Sequence, residues 1–390
     1  MGNDKQINEL LTRGVEEVID RKDLESKLHS GKPLRVKLGI DPTSPNIHLG
    51  RSIPLLKLRD FQNLGHQIVF IIGDFTGTIG DTSDKNSERP MLDEAVIKEN
   101  IKNYIAQAGK VIDVSKCEIH YNSEWLAKLE YKEVCRQADI FSINEFISRD
   151  NIRRRLDAGS RVSLREVMYP MMQGYDSVML KADVELGGTD QRFNLLAGRE
   201  MQRVYKQAPQ NIITNPLIEG LDGRKMSSSW GNTVNLFDSA SEMFGKIMSL
   251  QDEFIIKYFT LLTRVDETEI KKYQKALDTG ANPRDYKLLL AKELVRFYHS
   301  DQEALEQEAN FIKVFSRKEM PTEITELKPA SYDLVAVLLE SGLAASKSEA
   351  KRVIEQGGVK INQQVIKDLE FEIPAGAILQ KGKLKFLKIV

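Results

Sequence analysis

The chain has 390 residues, and at roughly 100 to 200 residues per domain that length predicts two or three domains with room for a core and a cleft, excluding a peptide or a disulfide miniprotein. Lys and Arg number 56 against 57 Asp and Glu, a net charge of −1, so the chain as a whole offers no strong attraction to nucleic acid or an anionic membrane, and any RNA contact must be a local patch. Two cysteines, Cys117 and Cys135, are too few for a disulfide framework and fit a reducing cytoplasm. The first residues, MGNDKQINEL, hold neither a signal peptide's apolar stretch nor a membrane span. Gly2 suits myristoylation, but Gln6 stands where that signal takes Ser or Thr. The expectation is a soluble, cytoplasmic protein with no membrane partner.

In chain order, LRVKLGI from Leu34 to Ile40 is a short apolar, β-branched run ended by DPTSPN, whose Pro, Ser and Asn residues break a strand and cap a helix. The helix, about His48 to Leu64, carries Leu49, Ile53, Leu56 and Phe61 at three- to five-residue steps and stops before Gly65. QIVFIIG, Gln67 to Gly73, is a second apolar strand. Strand, helix, strand is a βαβ unit; continuous apolarity favours a parallel sheet covered on both faces. A ligand then belongs at the strands' carboxyl ends, where DPTSPN and GDFTG fall. Residues about 91 to 156 and 233 to 318 read as helical. VMLKADVELGG and NIITNP supply two more strands, so the sheet ends near residue 217.

RKEMPTEITELKPAS, from Arg317 to Ser331, has two prolines and little periodicity and reads as a linker. Beyond it, Tyr332 to Val390 has 9 Lys and Arg against 7 Asp and Glu. The expected organisation is a doubly wound α/β, Rossmann-like parallel-sheet catalytic domain over 1–224, a helical domain over 225–318, a linker over 319–331 and a small α+β domain over 332–390.

Two constellations carry chemistry. The first, Gly39-Ile40-Asp41-Pro42-Thr43-Ser44-Pro45-Asn46-Ile47-His48-Leu49-Gly50, lies at a strand end and a helix start, where free amides and the helix dipole attract phosphate, and Thr43 and His48 can donate to its oxygens. The second, Gly223-Arg224-Lys225-Met226-Ser227-Ser228-Ser229-Trp230-Gly231-Asn232, combines cations, hydroxyls and two glycines in a loop that could close over a polyphosphate. Taken alone, each also reads as a capped turn and a polar loop. The second lies well after His48 and follows the last expected sheet strand, and that position favours the phosphate reading. Cys117, His120 and Cys135 do not make a four-ligand zinc pattern.

With these residues the chain resembles the tyrosyl-tRNA synthetases, class I enzymes whose HIGH and KMSKS signatures correspond to HLGR (His48 to Arg51) and KMSSS (Lys225 to Ser229). GDFTGTIGDTSDKNSERP, YPMMQGYD and GGTDQRFN resemble further blocks in the family's order, and the tail is similar to the small RNA-binding module of bacterial members. The resemblance implies activation of L-tyrosine by ATP with Mg²⁺, then transfer to tRNA(Tyr), with no tightly bound metal held by the protein. It implies that Asp81, Tyr169 and Gln173 bind the α-ammonium, Gln191 the carboxyl and Asp176 the phenolic hydroxyl. Gly39, Asp41, His48, Gly50, Gly188, Asp190, Lys225, Met226 and Ser228 would meet ATP. Thr43, His48, Lys225 and the loop residues Lys85 and Arg89 would stabilise charge on the departing pyrophosphate. It also implies a homodimer.

Three departures stand out. Arg51 replaces the second His of HIGH, and Ser228 the second Lys of KMSKS. Lys37 occupies a position that many members give to a Tyr against the substrate hydroxyl. It either points into the pocket and donates to the phenolic oxygen or snorkels outward and leaves recognition to Asp176. Lys347, Lys351 and Arg352 on one predicted helix are the candidate RNA contacts. The rival readings are a tryptophan-specific relative and a non-catalytic RNA-binding paralogue.

Overall fold

The computed structural model describes residues 2–83, 91–316, 325–344, 346–382 and 385–390. The chain divides into two units, Met1–His299 and Ser300–Val390.

In the first unit, strands β1 (Glu17–Ile19), β2 (Arg35–Ile40), β3 (Gln67–Ile72), β4 (Glu118–Tyr121), β5 (Val184–Gly188) and β6 (Asn211–Asn215) form one sheet in the order β1-β6-β5-β2-β3-β4. Only the β1–β6 pairing is antiparallel. The centre is buried on both faces, since Val36 and Ile68 to Ile72 are nearly inaccessible, as continuous apolar strands require. The helix Leu49–Asn63 returns the chain from β2 to β3, burying Leu49, Ile53, Leu56 and Phe61. From β2 the chain proceeds to β3 on one side, whereas β5 lies on the other. That reversal opens a crevice outside the carboxyl ends of β2 and β5, the place where doubly wound sheets bind ligands.

Two strands depart from the sequence expectation. β4 falls inside the stretch 91–156, read as helical; its four residues EIHY are all half-buried at the sheet edge, so they lack the apolar run that marks a central strand. β1, with three residues, is too short to show a period. Val178 to Leu180, part of an expected strand, instead close the helix Leu164–Leu180, which runs until Lys181 turns left-handed at φ 48°.

That helix positions much of the site. Ser163 and Glu166 form a capping box at its start, and Arg155 holds the same Glu166 through Nη1 at 2.5 Å. Gly174 lets it approach the helix Arg192–Val204, because a Cβ there would stand 2.8 Å from Met201 Sδ and 3.1 Å from the Ala197 backbone. The helices Ala240–Met248, Ile255–Leu262, Glu267–Asp278 and Pro283–Tyr298 complete this unit.

The second unit begins with the helix Asp301–Ser316. Strands β7 (Thr325–Leu327), β8 (Val359–Ile361), β9 (Gln364–Ile366), β10 (Ile378–Lys381) and β11 (Lys385–Ile389) form a sheet in the order β7-β11-β10-β8-β9. Leu334, Leu338, Ile354, Val359, Leu379 and Ile389 make its core with the helices Leu334–Glu340 and Lys347–Glu355. Of the expected linker, residues 317–324 lie outside the described residues, while Thr325–Leu327 pairs in parallel with β11. No helix among the described residues is long and apolar enough to cross a membrane.

Candidate active site

The crevice gathers the two signature segments. Leu49 N donates to Val234 O at 2.8 Å and Leu236 N to Ile47 O at 2.9 Å, so the chain beyond KMSSS lies along the start of the first signature. Gly50 N points at Met226 Sδ, 3.3 Å away, and the Ser44 and Ser228 hydroxyls are 3.4 Å apart. Asn232 fixes the KMSSS turn: its Oδ1 accepts from Ser227 N at 2.9 Å, and its Nδ2 donates to Asp222 Oδ1 at 2.7 Å and Lys225 O at 3.1 Å. Lys225 reaches back across the crevice to Asp190, 2.9 Å from Nζ to Oδ2.

His48 precedes the helix Leu49–Asn63 and is 7% exposed. Burial, aided by the positive charges of Arg51 and Lys225, lowers its pKa to about 3, so the ring is neutral. Its buried Nδ1 has no partner among the described residues. Gly50 lies under the ring; a Cβ there would come within 3.1 Å of Cε1 and Nδ1. Arg51 turns inward and ties the loop together, donating to Tyr104 Oη at 3.1 Å, Asp41 O at 3.4 Å and Thr43 Oγ1 at 3.4 Å.

A polar cluster lines the sheet end. Asp41, at the tip of β2, accepts from Thr76 Oγ1 and Tyr169 Oη, each at 2.7 Å. Burial lifts its pKa to about 6 against those two hydrogen bonds, and burial with the nearby carboxylates raises Tyr169 well above the ordinary phenol value. Asp81 accepts from Gln191 Nε2 at 2.6 Å and Ser83 N at 2.9 Å. Deeper in, Asp176 is 4% exposed and accepts from Trp125 Nε1 at 2.7 Å and Asn122 Nδ2 at 3.3 Å. Burial raises it to about 7, opposed by the charge of Lys37.

Tyr169, Gln173 and Asp176 recur at helical spacing on one face of Leu164–Leu180. Gly39 is exposed on β2, and Gly188 ends β5 where a Cβ would crowd the Asp190 carboxylate. Lys85 and Arg89 lie outside the described residues. Lys37 takes neither of its two expected courses. It is fully buried, and its ammonium is spent on Ser177, Gln173 O and Glu185. Sequence reasoning missed Glu185, Trp125, Asn122 and Thr76 as individual site residues, and named Asn232 only as the end of the second constellation. Glu185 left a signal: a charge of opposite sign within each of two largely apolar strands, LRVKLGI and DVELGG, which the sheet pairs directly, Lys37 to Glu185. Among the described residues, no group of three or more His, Cys, Asp or Glu side chains could hold a metal ion.

A largely parallel, doubly wound sheet whose carboxyl ends carry two cationic signature loops above a buried carboxylate defines a class I aminoacyl-tRNA synthetase. Residues 29–316 match the family described as tRNA synthetases class I (W and Y), and residues 334–379 match the S4 domain. The tyrosine–tRNA ligase of Carboxydothermus hydrogenoformans is 46% identical over 98% of this chain and 97% of its own length, and that of Thermotoga maritima is 44% identical over 97% and 96%. The chain belongs to this family, in its tyrosine–tRNA ligase branch. The fold agrees with that of an Aspergillus nidulans mitochondrial tyrosyl-tRNA synthetase, with a TM-score of 0.67 at 23% identity over 80% of this chain and 94% of that one. An Archaeoglobus fulgidus tyrosyl-tRNA synthetase complexed with L-tyrosine aligns with a TM-score of 0.63 at 24% identity, over 77% and 99%.

Proposed function

We infer that the chain joins L-tyrosine to tRNA(Tyr) at the expense of ATP. The observation that carries the tyrosine reading is Asp176. Its two protein donors, Trp125 and Asn122, leave lone pairs on a buried carboxylate, which a phenolic hydroxyl would fill and phenylalanine would leave unpaired. Tyrosine–tRNA ligases are themselves the reference case for that penalty.

In this reading a tyrosine carboxylate oxygen attacks the α-phosphorus of ATP. The bond to the bridging oxygen breaks, and pyrophosphate leaves with the electron pair. A terminal hydroxyl of the tRNA's 3′ adenosine then attacks the acyl carbon, and AMP leaves. The carboxylate is already a nucleophile, so the protein's part is positioning and charge stabilisation. Asp81, Tyr169 and Gln173 hold the ammonium, Gln191 the carboxyl, and Gly188 and Asp190 the ribose. The neutral His48, with Thr43 and Lys225, donates to the phosphates. Arg51 acts by holding Thr43 and the Asp41 carbonyl rather than as a neutral donor. Ser228 contributes a hydroxyl beside Ser44. Mg²⁺ accompanying the triphosphate would add to this charge neutralisation.

Transfer RNA is met in part by Lys347, Lys351 and Arg352, all exposed on the helix Lys347–Glu355. The chain works in the cytoplasm as a homodimer, a reading supported by the exposed apolar side chains Ile143, Leu156 and Leu164. Amino-acid-dependent ATP–pyrophosphate exchange, with tyrosine, tryptophan and phenylalanine compared, tests the assignment. Exchange with tyrosine alone is expected. Folded protein that exchanges with none of the three would leave an RNA-binding paralogue in its place.

A further inference from the structure

Lys37 and Glu185 face each other across β2 and β5 with side chains 0% and 1% exposed. Such a pair is an unpromising way to stabilise a sheet, because desolvating two charges offsets most of their attraction, and apolar residues of the same volume do as well or better. Its hydrogen bonds show where it acts. The ammonium has three protons, and all three are taken: by Ser177 Oγ at 2.7 Å, Gln173 O at 3.0 Å and Glu185 Oε1 at 2.9 Å. None remains for a ligand. Glu185 is equally filled, accepting from Lys37, Gln173 Nε2 at 3.2 Å, Ser177 Oγ at 2.9 Å and Gln210 Nε2.

Gln173 and Ser177 bracket Asp176 on one helix. Because a carboxylate can only accept, Glu185 turns the Gln173 amide so that its NH₂ faces the sheet and its carbonyl is left for a cationic substrate group. Ser177, clasped by both charges, fixes the backbone next to Asp176.

We propose that Lys37 and Glu185 are a specificity-determining positioning pair: without touching the substrate they orient Gln173, hold the turn carrying Asp176, and through opposed charges set the field in which Asp176 meets the phenolic hydroxyl. The proposal rests on the tyrosine reading above. Lys37 favours the Asp176 carboxylate and Glu185 opposes it. The other groups facing Asp176 are Trp125 Nε1, Asn122 Nδ2 and, on its own helix, Tyr169.

The test is the pH profile of kcat/KM for tyrosine in pyrophosphate exchange by the full-length protein, with Lys37→Met, Glu185→Gln and the double variant. Removing the cation should move the acidic limb to higher pH, and removing the anion should move it to lower pH, each by up to about one unit. The Lys37→Met variant should raise KM for tyrosine about tenfold while KM for ATP stays within about twofold. The double variant leaves no unpaired buried charge, so it should fold even where a single one does not, and its limb should fall between theirs. A residue that merely holds up the fold would alter both KM values and move neither limb. Limbs that stay put, or move the same way, with tyrosine exchange intact in the unsubstituted protein, would overturn the pair's role alone. Absence of exchange in the unsubstituted protein would instead overturn the tyrosine reading beneath it.

Discussion

Lys225 Nζ and Asp190 Oδ2 meet at 2.9 Å, joining the second signature loop to the residue beyond β5 that is proposed to hold the ribose. A bound nucleotide would compete for both groups, so the pair sits where it must be exchanged for ATP. Its side chains are 29% and 19% exposed, which makes it a weak stabiliser worth roughly 0–1 kcal/mol. Lys225→Ala should therefore lower kcat for exchange by about 10²-fold or more, with little change in KM for tyrosine or in melting temperature. A large loss of thermal stability, read by calorimetry, would show that the lysine serves the fold instead.

Asp176 and Asp41 link pH to stability in an uncommon direction. Both carboxyls titrate higher in the folded chain, at about 7 and about 6, than the usual 3.8. Between those values the folded state binds more protons than the unfolded one, so their contribution to stability is full below about 4 and is lost as pH rises through 6 to 7. Asp176→Asn should flatten that dependence between pH 5 and about 8 in thermal melts, while abolishing tyrosine activation and sparing ATP binding. An unchanged slope would show that Asp176 is not the titrating group.

Gly73 is required by the Asp41 carboxylate and the Thr76 hydroxyl, both of which a Cβ at that position would overlap. Gly73→Ala should displace the Asp41 carboxylate and, with it, the partner of Tyr169 Oη. Tyrosine activation should fall by about 10²-fold for a shift of order 1 Å. A crystal structure of the variant with Asp41 and Thr76 unmoved, or full activity, would refute this.

Asn232 serves the KMSSS turn through its side-chain hydrogen bonds to Ser227 N, Asp222, Arg224 O and Lys225 O, although it lies outside the signature itself. Asn232→Ala leaves Ser227 N and Lys225 O without that partner, so kcat for activation should drop about tenfold or more. The effect should appear in kcat before it appears in KM for tyrosine. Equal changes in both would point to a wider collapse of the crevice.

Charge reversal at Lys347, Lys351 and Arg352 should weaken tRNA binding and reduce the slope of log K against log salt by about one per lost phosphate contact. Pyrophosphate exchange, which needs no tRNA, should be unaffected. An unchanged salt slope would assign these residues to a solvated helix face.

Much of this protein is local in origin and so was legible in the sequence. LRVKLGI, DPTSPN and QIVFIIG announce strand, turn and strand because apolar runs and turn residues act on their immediate neighbours, and helical spacing alone puts Tyr169, Gln173 and Asp176 on one face. The signature loops are legible as segments, HLGR and KMSSS, but alone each also reads as a capped turn or a polar loop, and it is their place at the strand ends that gives them phosphate chemistry. What depended on pairing between distant segments was not legible. The edge strands β1 and β4 owe their existence to neighbours rather than to any period of their own. Only the β2–β5 register sets Lys37 against Glu185 and decides that the lysine is buried in an ion pair rather than exposed to solvent. Likewise, Trp125 and Asn122 reach Asp176 from the segment just after β4, a meeting that assembly of the sheet creates and that the separation of 51 and 54 residues in the chain conceals.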